Sequence, residues 1–225
     1  MVVRASVAEL PNGGAWHERR VPADSFVIQT RLNCYFGCCS HLDTETTMAG
    51  LVAVALHHRD HFSQGNARRT FGYEAYHWGI IVMPQTSQGR DCHAFDATDA
   101  SDIDPVTFRM KNPTMDWWFR SQTEVDLELG TKLIGRIVIG HVPDEVSAPE
   151  LGDFFGKVPL PVKNTHPQQS CVTWVEDAIR NLQEQGWVQK FNIDRFKDWA
   201  LSYADERMKG ADSSEPSVKY YNVES

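Results

Sequence analysis

The stretch Tyr76-His77-Trp78-Gly79-Ile80-Ile81-Val82 indicates a buried β-strand that carries a histidine. Aromatic and β-branched residues follow one another, and Pro84 with the polar segment 85–90 ends the run. A buried strand gains nothing in packing from an imidazole, so His77 must be hydrogen-bonded, bound to a metal or chemically active. The groups that face His77 therefore decide what this protein does.

The composition is typical of a globular protein without a broad nucleic-acid surface. The chain has 225 residues and a formal net charge of −8, which disfavours nucleic acid as a general partner. No apolar run is long enough to form a membrane segment, and the first residues lack the pattern of a signal peptide. Five cysteines, an odd number without such a signal, indicate free thiols. We therefore expect a cytoplasmic protein.

The order of apolar and polar segments predicts one catalytic domain of the α+β class. It would span residues 25–210, between a flexible arm at 1–24 and a disordered tail at 211–225. Further strands are predicted at 25–32, 91–97, 117–129 and 133–139, and helices at 148–155, 171–185 and 193–208. The short connections predict antiparallel pairing, with the helix that starts at Cys171 packed on the sheet.

One more helix is predicted before the His77 strand. Thr46 or Thr47 would cap it, and it would run through the apolar residues 51–56. It would end at the three histidines within residues 57–61, because positive charge suits a helix C-terminus.

Cys171 is the candidate nucleophile. Ser170 is a good N-cap, and Cys171 shares a helical face with Val175, Ala178 and Leu182, so its sulfur points toward the core. Unpaired N–H groups and the helix dipole at this end favour the thiolate form. A thiolate is a nucleophile that an imidazole from His77 can pair with, and His77 can then protonate a leaving group.

A third polar group must hold the imidazole in its orientation, and the returning strand offers two. Folding the hairpin about residues 85–88 brings both His93 and Asp96 near His77. His93 has the same parity along its strand as His77, whereas Asp96 would need a bulge to reach the same face. We therefore predict His93 in this role, with Asp96 as the alternative.

Three of the other cysteines could form part of a metal site, but their pattern favours one only weakly. Cys34, Cys38, Cys39 and His41 lie together, but their spacing matches no common zinc motif and no second cysteine pair follows nearby. Reduced, partly buried thiols are the better interpretation, so no metal and no cofactor are predicted.

The three segments around the candidate residues resemble a known superfamily. They read His77-Trp78-Gly79-Ile80, Cys92-His93-Ala94 and Ser170-Cys171-Val172. This order is similar to that of the permuted papain-like thiol enzymes, the NlpC-like and lecithin–retinol acyltransferase type, in which the histidine strand precedes the cysteine helix. The sequence looks closest to uncharacterised fungal proteins of this type, with Ser170 in place of the usual asparagine.

The resemblance covers the core motifs, residues 76–187, and implies a permuted papain-like fold and acyl chemistry through a cysteine thioester. The first function expected is a thiol hydrolase or acyltransferase that uses Cys171, His77 and His93 or Asp96 on a small-molecule or peptide acyl donor. The second is a biosynthetic transferase with an activated aminoacyl donor, carried by tRNA at a local patch of Arg59, Arg68 and Arg69, or with a thioester donor. The third is a non-catalytic binding module on the same fold.

Overall fold

The computed structural model describes residues 50–101 and 103–222, all within one compact unit. The strands are β1 (Gly50–His58), β2 (Tyr76–Met83), β3 (Cys92–Thr98), β4 (Trp118–Val125), β5 (Leu133–Val142) and β6 (Val218–Tyr220). The helices are α1 (Gly65–Phe71), α2 (Ala148–Gly156), α3 (Cys171–Glu184) and α4 (Ile193–Arg207). The strands form one open sheet in the order β4-β3-β2-β1-β5-β6.

A mixed fold with a largely antiparallel sheet was predicted, and this coarse architecture is confirmed. The four pairings that join β4, β3, β2, β1 and β5 are antiparallel. Helices α2, α3 and α4 lie at the predicted places, and β4 is shorter than the predicted strand at 117–129. The predicted arm at 1–24, the strand at 25–32 and the cluster from Cys34 to His41 lie outside the described residues.

The helix predicted through residues 51–56 is wrong, because these residues belong to β1. This strand is antiparallel to β2 on one side and to β5 on the other, and residues 51–56 are all buried. A strand buried on both faces is an uninterrupted apolar run, and its sequence does not show the alternation that identifies a half-exposed strand. His57 and His58 therefore lie at the end of β1, and His61 lies in the 3-10 turn Asp60–Ser63 that follows, so none of the three is at the C-terminus of the predicted helix.

The tail predicted to be disordered at 211–225 is ordered over its described part. Val218–Tyr220 forms β6, which runs parallel to Arg136–Val138 at the edge of the sheet. The hydroxyl of Tyr203 donates to the carbonyl oxygens of Pro216 and Ser217, at 2.8 and 3.1 Å. A polar segment can be fixed in this way by backbone hydrogen bonds, which its side-chain composition does not reveal.

The main core lies between the sheet and helices α2, α3 and α4. Trp174 and Val175 of α3 are buried in one cluster with Trp78, Ile80 and Phe95 of β2 and β3. Fully burying an aromatic or branched side chain contributes about 1.5–3 kcal/mol, so this contact fixes α3 firmly on the two strands. The start of α3 is thereby held beside the start of β2, where His77 lies.

Among residues 50–101 and 103–222, no helix has the length and apolarity that crossing a membrane requires.

Candidate active site

The first turn of α3 presents Cys171 as predicted. Ser170 is the N-cap, and its hydroxyl accepts a hydrogen bond from the backbone N–H of Val172 at 3.3 Å. The hydroxyl of Thr173 in turn accepts from the backbone N–H of Ser170 at 3.2 Å. Cys171 is 2% exposed, yet it forms part of the wall of a cleft. Its own N–H, at the first helical position, has no acceptor within the helix.

Asp96, and not His93, is the group that contacts the imidazole of His77. The Nε2 atom of His77 lies 2.7 Å from Oδ2 of Asp96. Ile80 is opposite Phe95 in the β2–β3 pairing, so odd-numbered residues of β2 share a face with even-numbered residues of β3. Asp96 therefore reaches His77 without a bulge.

His93 lies away from the site, and the prediction that it faces His77 is wrong. It is opposite Val82, near the far end of β2, and it contributes to a separate cavity with Gly50, Val142 and Leu151. Its Nδ1 atom is buried there and has no hydrogen-bond partner among residues 50–101 and 103–222. The prediction assumed that odd-numbered residues of the two strands share a face of the sheet. Which residues share a face depends on the register of the hairpin and so on its loop, and a shift by one residue exchanges the two faces.

The charges around His77 favour its protonated form. Burial opposes a charge on the ring, but the sulfur of Cys171 and the carboxylate of Asp96 outweigh it and raise the pKa of His77 to about 10. Burial likewise opposes the charge of Asp96, and hydrogen bonds from His77 and Arg120 lower its pKa to about 2. Since Asp96 occupies Nε2, the ring nitrogen left for Cys171 is Nδ1. The arrangement is that of a buried imidazolium oriented by a carboxylate, with the sulfur of Cys171 beside it.

Arg120 is a member of the site that the sequence interpretation missed. It lies directly opposite Asp96 in the β3–β4 pairing. Its Nε is 3.0 Å from Oδ1 of Asp96, and its second guanidinium nitrogen is 2.6 Å from Oδ2. The sequence does show an arginine on the predicted strand at 117–129. Its partner could not be inferred without knowing the register between β3 and β4.

His57 was also missed, since it was assigned to a helix end. It is opposite His77 in the β1–β2 pairing, and the centroids of the two rings are 6.1 Å apart. Burial, followed by repulsion from His77, lowers the pKa of His57 to about 4, so its imidazole is neutral at physiological pH. It therefore places an uncharged hydrogen-bonding group beside the pair.

These groups line a cleft of about 510 Å³, within the range of sites for small molecules. Its wall is formed by residues 57–62 and by His77, Thr98, Asp99, Ala100, Trp117, Arg120, Lys132 and Cys171. Aromatic and charged side chains thus surround the sulfur. Across the described parts of the chain, no group of three or more His, Cys, Asp or Glu side chains is arranged to hold a metal ion.

The other described cysteine, Cys92, is not suited to be a nucleophile. It is fully buried, with Ile81 and Met83 in a second apolar cluster. Burial raises the pKa of its thiol to about 11, which keeps it protonated and unreactive.

The fold and the site define a class of protein. It is a mixed α/β domain in which a cysteine at a helix start and a histidine line one cleft, and an arginine-bound aspartate contacts that histidine. Residues 51–214 match the family of unknown function DUF6914, and the chain belongs to that family. No curated protein and no solved structure matches the chain.

Proposed function

We propose that this protein is a cysteine-dependent acyl-transfer enzyme, a hydrolase or acyltransferase of amides or esters that acts through a thioester on Cys171. The observation that carries the proposal is the shared imidazole of His77. One side of the ring is hydrogen-bonded to Asp96 at 2.7 Å, and Cys171 stabilises the ring's positive charge. A buried imidazole held between a carboxylate and a thiol at a helix N-terminus is suited to nucleophilic catalysis.

The reaction would begin with attack of the Cys171 sulfur on the carbonyl carbon of the acyl donor. The carbonyl π electrons move to oxygen, and the resulting oxyanion can accept a hydrogen bond from the backbone N–H of Cys171. The proton on Nδ1 of His77 passes to the leaving amine or alcohol as its bond to carbon breaks. The thioester is then attacked by water or by an acceptor whose proton returns to His77, and the C–S bond breaks to release the acyl product and regenerate the thiolate of Cys171.

The same features support the permuted papain-like architecture as part of this proposal. The strand with His77 precedes the helix with Cys171, and α3 packs on β2 and β3. The third group comes from the neighbouring strand β3, through Asp96. The likeness is one of chain order and relative placement of the three groups.

The donor that best fits is a small molecule or peptide, because the cleft has about the volume of a small-ligand site. The basic patch considered for a tRNA-borne donor loses Arg68, whose guanidinium is bound at both ends by Asp205, each contact 2.6 Å long. We therefore do not propose that donor.

The test is competitive alkylation. The protein is treated with limiting iodoacetamide at about pH 6, where ordinary thiols are protonated, and the adduct is located by intact mass and peptide mapping. We expect modification at Cys171 first, about tenfold slower labelling in His77→Ala, and acylation of Cys171 by an aryl thioester probe.

The control is Cys92→Ser, which should label like the natural protein. If other cysteines react before Cys171 in the folded protein, the nucleophile assignment and the enzyme proposal both fail.

A further inference from the structure

We infer that Arg120 is a positioning residue of this site: by holding both oxygens of Asp96, it fixes the direction in which Asp96 presents its carboxylate to His77. The inference rests on the proposed function for its catalytic consequence. Its structural consequence, the geometry of the His77–Asp96 hydrogen bond, can be measured separately.

The hydrogen bonds of Asp96 show why a second partner is needed. Oδ2 of Asp96 accepts hydrogen bonds from His77 at 2.7 Å and from Arg120 at 2.6 Å. Oδ1 accepts a hydrogen bond from Arg120 at 3.0 Å. The side chain of Asp96 is 13% exposed, so water has little access to an oxygen that loses its donor. Without Arg120, both oxygens of this buried carboxylate lose a donor, which is costly enough to turn or protonate the group.

The sheet builds this contact into the backbone. Asp96 in β3 and Arg120 in β4 are directly opposite each other, so their side chains project from the same face of the sheet. A guanidinium presents two parallel N–H groups that match a carboxylate, which fixes the plane of Asp96 as well as its position. The fixed plane of Asp96 in turn orients the ring of His77 through the hydrogen bond between Oδ2 and Nε2.

A comparison within the same chain separates positioning from plain structural support. Arg68 forms an equally complete pair of contacts with Asp205, and Asp205 also accepts a hydrogen bond from the hydroxyl of Tyr76 at 2.6 Å. That group has the same arginine–aspartate geometry but carries no imidazole or thiol. Arg68→Gln therefore removes an arginine–aspartate pair that lies outside the cleft wall and whose carboxylate is more exposed, since the side chain of Asp205 is 44% exposed.

The first measurement is the proton on Nε2 of His77, seen by NMR as a far-downfield resonance and assigned by its absence in His77→Gln. We expect the natural protein and Arg68→Gln to show this resonance, and Arg120→Gln to lose or broaden it. The second measurement is the rate of iodoacetamide labelling of Cys171 across pH. In Arg120→Gln we expect about tenfold slower labelling near pH 6 and an acidic limb moved to higher pH, since Asp96 protonates more readily.

Rescue distinguishes a lost guanidinium from a damaged fold. In Arg120→Ala, guanidinium ion at about 20 mM should restore part of the labelling rate, and sodium chloride at the same ionic strength should not. Arg120 is purely structural if Arg120→Gln keeps both the Nε2 resonance and the labelling profile of Arg68→Gln. If instead Cys171 of the natural protein lacks preferential labelling while the resonance still depends on Arg120, the proposed function fails and the positioning inference stands.

Discussion

At the scale of single residues, the choice between Asp96 and His93 follows from hydrogen bonds. Asp96 is 2.7 Å from His77, whereas His93 is opposite Val82 and lines another cavity. We predict that Asp96→Asn lowers kcat/KM by about 100-fold, because the amide no longer stabilises the imidazolium. His93→Ala should change kcat/KM by less than about threefold, since His93 lies outside the cleft. Steady-state kinetics of both variants with one aryl thioester substrate gives the comparison, and the reverse order would return the role to His93.

The buried charges of His77 and Asp96 also make stability depend on pH. The pKa of His77 is raised from 6.5 to about 10 by folding, so its contribution is complete below pH 6.5 and is lost as the pH rises through about 10. The pKa of Asp96 is lowered from 3.8 to about 2, so its contribution is present above pH 3.8 and is lost as the pH falls through about 2. Both contributions are therefore complete between pH 3.8 and 6.5.

We predict that the difference in unfolding free energy between the natural protein and His77→Gln shrinks as the pH is raised from about 6 to about 10. Urea titrations at several pH values measure it. His141→Gln is the control, because it removes an exposed histidine of β5 that is no part of the cleft wall. A difference that is constant over this range would mean that folding does not raise the pKa of His77.

At the scale of elements, we expect the cap of α3 to affect both the stability of the protein and the reactivity of Cys171. The hydroxyl of Ser170 accepts from Val172 N–H at 3.3 Å, and Cys171 is the next residue after the cap. We predict that Ser170→Ala lowers the unfolding free energy by about 1 kcal/mol and also slows alkylation of Cys171, because fraying of the first turn moves the sulfur.

Asn192→Ala is the matched control for this prediction. Asn192 caps α4 by accepting from the N–H of Arg195 at 2.9 Å, and it is not part of the cleft wall. It should cost a similar free energy of unfolding but leave the labelling rate of Cys171 unchanged. Equal labelling rates in the two variants would show that the cap does not affect the nucleophile.

The elements also show which parts of the fold a sequence can reveal. The helix from Cys171 to Glu184 was predictable because Ser170 caps it and its apolar residues recur with helical spacing. The strand β1 was not, because its central place in the sheet removes the alternation on which the prediction depends. The pairing of Asp96 with His77 was missed for a different reason, since it depends on the register of a hairpin whose loop conformation the residue types do not determine.

At the scale of the whole molecule, the site is assembled from distant parts of the chain. Asp96 and His77 come from adjacent strands, Arg120 from the next strand, and Cys171 from a helix that packs on them. Cys171 and His77 could be proposed from the sequence because local patterns of capping and strand composition surround them. His57 and Arg120 carry no local signal, because their roles arise from cross-strand neighbours that are distant in sequence.

The end of the described chain packs beside β5, away from the cleft. The ring of Tyr221 lies 5.0 Å from those of Phe191 and Phe196 and 5.3 Å from that of Trp199, measured between centroids. The preceding residue, Tyr220, is 52% exposed. Two adjacent tyrosines, the last residue of β6 and the residue directly after it, therefore differ in burial, which makes them a matched pair for testing whether the tail is docked.

We predict that Tyr221→Ala lowers the free energy of unfolding by about 2–3 kcal/mol, since it removes a side chain packed against three aromatic rings. Tyr220→Ala should change it by no more than about 0.5 kcal/mol, because β6 pairs with β5 through its backbone and the side chain of Tyr220 faces solvent. Urea unfolding of both variants measures the difference. Both should retain rapid labelling of Cys171 in the folded state, because the tail contacts β5 and α4 and forms no part of the cleft wall. Equal and small effects of the two substitutions would mean that the tail is detached in solution, as its polar composition had suggested.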